Sequence, residues 1–243
     1  MLHRISLTER ALDLNYRFEG AKAEAVLTYA LDAEALGDVA MVSSFGAESV
    51  VLLHMLSQTK PDAPVIFVDT EMLFPETTAY QVQLSETLGL TNVQRTGPDR
   101  ADLIAEDNEN LLHLYDTDAC CALRKTAPLQ NALSGFDGWI TGRKRYQGQT
   151  RQGLSFFEAE NDTRLKINPL AFWTPSDVQD YIHTHALPRH PLATQGFPSI
   201  GCVPCTSRVA KGEDSRAGRW RGQAKTECGI HFDKDRTAQG SQL

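Results

Sequence analysis

The chain has 243 residues, 41% of them hydrophobic, and a formal charge of −7, so one large domain, or one domain with an appendage, is expected around a sizeable core. The acidic balance argues against general nucleic-acid binding while leaving room for a local basic pocket. No apolar run is long enough to span a bilayer and no apolar stretch precedes a small-residue cleavage site, so no membrane partner is expected and a cytoplasmic location is.

Leu12 to Leu36 carries apolar residues at helical spacing, including Val26, Tyr29 and Ala30, and Gly37 can close it, which predicts one or two amphipathic helices. Asp38 to Ser43 reads as a short apolar strand. It leads into the small-residue loop Ser44 to Ser49 and the apolar helix Val50 to Leu56. Strand, loop and helix in that order form either an ordinary α/β turn or a phosphate cradle of backbone N–H groups at a positive helix end. Pro64 to Asp69 is the next strand, with Asp69, Thr70 and Glu71 at the end where open α/β sheets bind ligands. Pro75 to Leu88 reads as a helix with Pro in its first turn and Gly89 beyond its end.

Asn92 to Arg95 is a weaker strand, Asp102 to Asp118 is helical in part, and Cys120 to Thr126 runs into Pro128 to Leu133. Gly138 to Gly142 is a strand that opens onto Arg143, Lys144, Arg145 and Arg151, and Arg164 to Leu170 is another. Thr174, Pro175 and Asp177 then cap the helix Val178 to His185, and the irregular Pro188 to Gly201 delivers a CxxC. The succession predicts an α/β fold with a mostly parallel, doubly wound sheet.

Five cysteines divide into the pairs Cys120 with Cys121 and Cys202 with Cys205, plus Cys228 alone. In a reducing compartment the pairs point to metal binding or redox work rather than structural disulfides. Four thiolates suit tetrahedral zinc or a cubane cluster; the vicinal pair, unlike a second CxxC knuckle, favours iron and sulfur. Lys125 is either a solvated helix lysine or a cation over that centre. Two basic groups, Arg143, Lys144, Arg145 and Arg151, then Lys211, Arg216, Arg219, Arg221 and Lys225, flank candidate site loops. Taken singly they read as solvated faces, but guanidinium groups match phosphate and sulfate oxygens, so together they suggest a small substrate with more than one anion. A nucleophilic Cys228 would need nearby positive charge, from these arginines or from His231.

Several motifs together resemble the assimilatory adenosine 5′-phosphosulfate reductases, of the phosphoadenosine phosphosulfate reductase family. They are Cys120 Cys121 with Arg124 Lys125, Gly201 Cys202 Val203 Pro204 Cys205, Arg216 Ala217 Gly218 Arg219 Trp220, and Glu227 Cys228 Gly229 Ile230 His231. The loop Ser43 to Glu48 and the strand end Ile140 Thr141 Gly142 Arg143 fit as well, so the resemblance runs from about Asp38 to His231. It implies an adenine-nucleotide α-hydrolase-like (Rossmann-like) sheet and a 4Fe-4S cluster on Cys120, Cys121, Cys202 and Cys205, with Lys125 linking cluster to substrate. It makes Cys228 the nucleophile toward adenosine 5′-phosphosulfate, with AMP leaving. The resulting S-sulfocysteine would be opened by reduced thioredoxin or a glutaredoxin-like donor to give sulfite, in sulfate assimilation toward cysteine. Ser43, Ser44, Gly46, Arg143, Arg151, Arg216, Arg219 and His231 would meet the nucleotide or its sulfate.

The same reading divides the chain into a nucleotide-binding domain with the cluster cysteines, 1–207, and a mobile basic arm with the catalytic tail, 208–243. It leaves homo-oligomerisation open. Two departures narrow the substrate. Gly46 Ala47 Glu48 Ser49 lacks the double glycine and Asp of the related ATP-pyrophosphatase loop, which argues against ATP cleavage and so against an adenylating RNA sulfur-insertion enzyme. Relatives using 3′-phosphoadenosine 5′-phosphosulfate typically lack the first four cysteines, so their presence favours the unphosphorylated nucleotide. A four-cysteine zinc module with an incidental tail cysteine is the non-enzymatic rival.

Overall fold

Val39–Val42 (β1) and Val65–Val68 (β2) are apolar at every position and nearly all buried, the pattern of strands covered by helices on both faces. A computed structural model of the protein, which describes residues 5–223, 225 and 227–231, bears this out residue by residue. Met41, Val65, Phe67 and Ile140 pack into one core with the helices Ala23–Ala30 and Ser49–Thr59. Their neighbours Ala40, Ile66 and Trp139 pack on the other face against Leu129 and Leu133. This is the two-residue alternation of a pleated strand.

The strands Val93–Thr96 (β3), Gly138–Ile140 (β4), Phe157–Glu160 (β5) and Arg164–Ile167 (β6) complete a six-stranded sheet of order β3-β2-β1-β4-β6-β5. All pairings are parallel except β5 with β6, where Phe157 faces Ile167. The chain winds outward from β1 through β2 to β3, then crosses back to β4 on the other side. That reversal makes the crevice beyond the ends of β1 and β4 the place where an open α/β sheet takes its ligand. No helix of the described residues is long and apolar enough to cross a membrane.

The helices are Leu7–Arg17 (α1), Ala23–Ala30 (α2), Ala33–Leu36 (α3), Ser49–Thr59 (α4), Pro75–Leu88 (α5), Arg100–Glu106 (α6), Leu112–Tyr115 (α7), Thr117–Cys121 (α8), Ala127–Ala132 (α9) and Pro175–Thr184 (α10). Where one or two N-terminal helices were expected there are three, because Ser6 and Glu9 form a capping box that starts α1 before Leu12 and Asp32 caps α3 separately. α5 and α10 have the expected ends: Gly89 is left-handed at φ 66° and Thr174 and Asp177 cap each other. β5 was not expected. Its hairpin to β6 turns at Asn161 and Asp162, with φ of 48° and 49°, residue types that tolerate the left-handed region better than most.

His190 is fully buried beneath α5 and fixes its own tautomer. The Leu192 N–H donates to Nδ1 at 3.1 Å, so Nε2 carries the proton and donates to Thr77 Oγ1 at 3.0 Å. Burial holds this imidazole down at about 4, Glu76 opposing. The folded state therefore resists a proton that the unfolded chain takes up near pH 6.5, and stability falls as pH drops through the window from about 6.5 to about 4. At pH 5 the loss is expected to be roughly 2 kcal/mol. Urea midpoints taken across that window should show about one proton less of pH dependence in a His190→Gln variant; equal slopes would exclude this assignment.

Candidate active site

A cleft of about 220 Å³ opens at the reversal between β1 and β4, walled by Ser43, Ser44, Gly46, Lys125, Arg143, Arg151, Arg216, Arg219 and Cys228 among others. Its floor is the loop after β1. Phe45 is left-handed at φ 48° and buried edge-on against Phe67, with ring centroids 5.3 Å apart, which anchors the loop from below. The Phe45 N–H donates to Ser43 Oγ at 3.2 Å and the Gly46 N–H to Ser49 Oγ at 3.0 Å, so serine hydroxyls satisfy the turn's amides. Glu48 then ties this loop to the one after β4. It accepts from Lys144 Nζ at 2.9 Å, Tyr146 Oη at 2.8 Å and Gln147 Nε2 at 2.9 Å. Burial works against its charge, but Lys144 and the two other donors hold the carboxyl below its ordinary range.

The arginines of the cleft are held in different ways. Arg143 leaves the end of β4 buried, its Nη2 and Nε donating to Asn168 Oδ1 at 3.0 and 3.2 Å and its Nη2 also to Glu158. Arg151 forks onto Glu227, Nε to Oε2 at 2.6 Å and Nη2 to Oε1 at 2.7 Å, and Arg216 Nη2 reaches the same Oε1 at 3.3 Å. Arg219 stands over Trp220 with its guanidinium carbon 4.4 Å from the ring centroid, and donates to the carbonyls of Cys205 and Ile200. It passes so close to Gly201 that a Cβ there would stand 2.3 Å from its Nη2. A Cβ on Gly218 would stand 2.1 Å from the Ser207 carbonyl oxygen, so glycine alone lets residues 216–220 fold back along 205–207.

All five cysteines are unbridged, and Cys202 alone is more than slightly exposed. Cys120 and Cys121 end α8, where the helix widens into a π-turn over Ala122–Thr126. The widened turn is pinned from below by Arg124, which donates to Asp107 Oδ2 through Nε at 3.0 Å and Nη2 at 2.7 Å, to Asn110 Oδ1 at 2.6 Å and to the Thr70 carbonyl at 3.2 Å. Facing it, Cys202 and Cys205 share one 3₁₀ turn, with the Cys205 N–H on the Cys202 carbonyl at 3.0 Å and Thr70 Oγ1 3.1 Å from Cys202 Sγ. Burial pushes the Cys120 thiol up to about 11, with Arg124 opposing and Cys202 and Cys205 adding to it.

Among the described residues no three Cys, His, Asp or Glu side chains form a metal-coordinating group. The donor set nevertheless suits a four-thiolate centre. Cys120, Cys202 and Cys205, unbridged on two facing segments, are close enough to oppose one another's ionisation, Cys121 next to Cys120 meets Cys228 instead, and Lys125 and Arg219 stand beside the group.

Cys228 is buried against Cys205 and Trp220, yet it lines the cleft, which Cys120, Cys121, Cys202 and Cys205 do not. Its thiol is held well below the ordinary range, first by the hydrogen bond from Cys121, against burial, and then by Lys125, the Ile230 N–H and Arg219. Lys125 answers in kind. Burial would lower its ammonium, but Cys228, Cys202 and Cys121 more than compensate and raise it. A cysteine paired with a lysine in a cleft has in place the counter-ion that a thiolate needs.

Of the expected site residues, Ser43, Ser44, Gly46, Lys125, Arg143, Arg151, Arg216, Arg219 and Cys228 line the cleft, the other four cysteines do not, and the side chain of His231 and residues 232–243 lie outside the described residues. Some members of the two basic groups do not belong to the cleft. Arg145 stacks on Phe172 at 4.0 Å, Arg221 pairs with Glu213 on the surface, and Lys225 pairs with Asp118. Sequence reading missed the acids Glu48 and Glu227 as partners of the cations, and Thr77 as part of the cleft wall. An acid next to a lone cysteine and an acid inside a candidate phosphate loop were the available signals.

Residues 38–208 match the profile of the phosphoadenosine phosphosulfate reductase domain. The chain is 52% identical over 195 residues to adenosine 5′-phosphosulfate reductase of Mesorhizobium japonicum, covering 80% of this chain and 76% of that one. It is 46% identical over 223 residues to the enzyme of the same name from a Chelativorans species, covering 91% of each. Among solved structures it resembles the phosphate complex of phosphoadenylyl-sulfate reductase from Candida auris, with a TM-score of 0.68 and 27% identity over 83% of this chain and 97% of that chain.

Proposed function

Because the chain belongs to the phosphoadenosine phosphosulfate reductase family, we propose that it reduces adenosine 5′-phosphosulfate to sulfite and AMP, with Cys228 as nucleophile. The observation that carries this reading is a cleft in which one of five cysteines, beside a lysine, faces a serine loop and several arginines. The unphosphorylated nucleotide is preferred because the relatives named for it are 46–52% identical, against 27% for the reductase named for the 3′-phosphorylated one.

Ser43, Ser44 and Gly46 would hold the nucleotide and Arg143, Arg151, Arg216 and Arg219 its phosphosulfate. The Cys228 thiolate attacks the sulfate sulfur and forms an S–S bond. The bond from that sulfur to the bridging oxygen breaks, and AMP leaves with the electron pair on its phosphate oxygen, stabilised by the arginines. A thiolate of a dithiol donor, thioredoxin or a glutaredoxin-like protein, then attacks Cys228 Sγ and expels sulfite, and the donor's second thiol resolves the mixed disulfide. Cys120, Cys121, Cys202 and Cys205 would hold a 4Fe-4S cluster, which when bound supplies a fixed local charge beside the reacting sulfur. With Cys121 so engaged its hydrogen bond to Cys228 is unavailable, and stabilising the thiolate falls to Lys125, Arg219 and the Ile230 N–H. His231 would complete the nucleotide contacts, and the segment 208–243 would act as an arm that presents Cys228 first to substrate and then to the donor.

Intact mass of anaerobic protein mixed with adenosine 5′-phosphosulfate and no dithiol tests the reading. A gain of one SO₃ group on the peptide containing Cys228 is expected; nucleotide bound without any adduct would refute it.

A further inference from the structure

Of the carboxylates in the cleft wall, Glu48 is accounted for by the loop it ties, whereas Glu227 sits among the groups that should receive substrate. Its side chain is only 6% exposed. It accepts the Arg151 fork at 2.6 and 2.7 Å, Arg216 Nη2 at 3.3 Å and the N–H of Cys228 itself at 2.9 Å. A planar carboxylate in an arginine fork uses the same donors that a tetrahedral oxyanion would. The phosphosulfate end of the substrate must bring its negative oxygens within bonding distance of Cys228. Of the donors the cleft offers there, Arg151, Arg216 and the Cys228 N–H are already filled by Glu227. Two anions in an enclosed site at hydrogen-bonding range repel strongly, so one of them leaves.

We propose that Glu227 is the resting occupant of the oxyanion site, an internal stand-in that keeps Arg151 and Arg216 aligned until the sulfonyl end of the substrate displaces it. The inference rests on the functional reading above and adds a coupling to it. Glu227 and Cys228 are consecutive, and the Cys228 N–H is one of the four donors, so arrival of an oxyanion releases that amide and lets the cysteine reorient toward the bound sulfur. Glu227 is thereby a positioning residue, not one that touches the reacting atoms.

The alternative role, a purely structural brace for the two arginines, predicts the opposite result on removal. In full-length Glu227→Gln the internal charge is gone but the shape is kept. Calorimetric titration with AMP and with inorganic sulfate should then give binding about ten-fold tighter than in the parent; equal or weaker binding overturns the proposal. Hydrogen exchange on the parent protein decides the matter even if the variant folds poorly. Adding inorganic sulfate should speed exchange of the Cys228 amide, and slowed or unchanged exchange overturns the proposal. The functional reading fails separately, if the parent forms no Cys228 adduct with adenosine 5′-phosphosulfate. An adduct together with weakened binding in Glu227→Gln sinks this inference alone.

Discussion

Cys228→Ser is expected to lower sulfite release by roughly four orders of magnitude or more, with AMP still bound. The groups around Cys228 make the effect large. Lys125, the Ile230 N–H and Arg219 favour the Cys228 thiolate against burial, and the Cys121 thiol adds a hydrogen bond while it holds no metal. A serine hydroxyl starts so much higher that the same surroundings cannot ionise it. Steady-state sulfite release with a dithiol donor, alongside an AMP titration, separates loss of the nucleophile from loss of the cleft. A variant that retained even a few per cent of turnover would remove Cys228 from the chemistry.

Asp107→Ala should be the most damaging change outside the cleft. Arg124 and Asp107 are both only 2% exposed at the side chain, and the carboxylate is shared by two guanidinium nitrogens and the Leu112 N–H at 2.9 Å. Removing the acid leaves an uncompensated charge in the interior, a loss of about 3–5 kcal/mol, which for a chain of this size lowers Tm by roughly 6–20 °C. Burial opposes ionisation of Asp107, but the backbone donor and Arg124 keep its carboxyl low. A depressed carboxyl contributes stability above its unfolded value and loses it as pH falls through the folded one. The deficit of the variant should therefore shrink in acid. The same change frees the π-turn that follows Cys120 and Cys121, so the metal content proposed for these cysteines should fall with stability. Calorimetry at neutral and acid pH checks the first point and iron or zinc analysis the second; an unchanged Tm would show that the pair is not the anchor inferred here.

Much of the fold was legible in the chain because its signals are local. Pro75 with Gly89, and Thr174 with Asp177, announce helix ends through groups a turn apart or less from the backbone they satisfy. The apolar strands at 39–42 and 65–68 announce a sheet covered on both faces. β5 escaped notice because Phe157–Glu160 is half charged, as an edge strand with a solvated side can be. The short α3 escaped because four residues carry too little periodicity to be read.

The division of the cysteines and the family resemblance were likewise carried by short motifs. What the sequence by itself determined is thus the alternation of elements, their caps and the identity of the reactive groups, each of which depends on neighbours within a few positions. Only the tertiary structure decided which charges meet. Arg151 and Glu227 are 76 residues apart and Lys144 and Glu48 are 96 apart, and nothing in either segment names the other. Their pairing follows from the reversal of strand order between β1 and β4, which folds distant loops over one crevice and sets buried charges of opposite sign against each other.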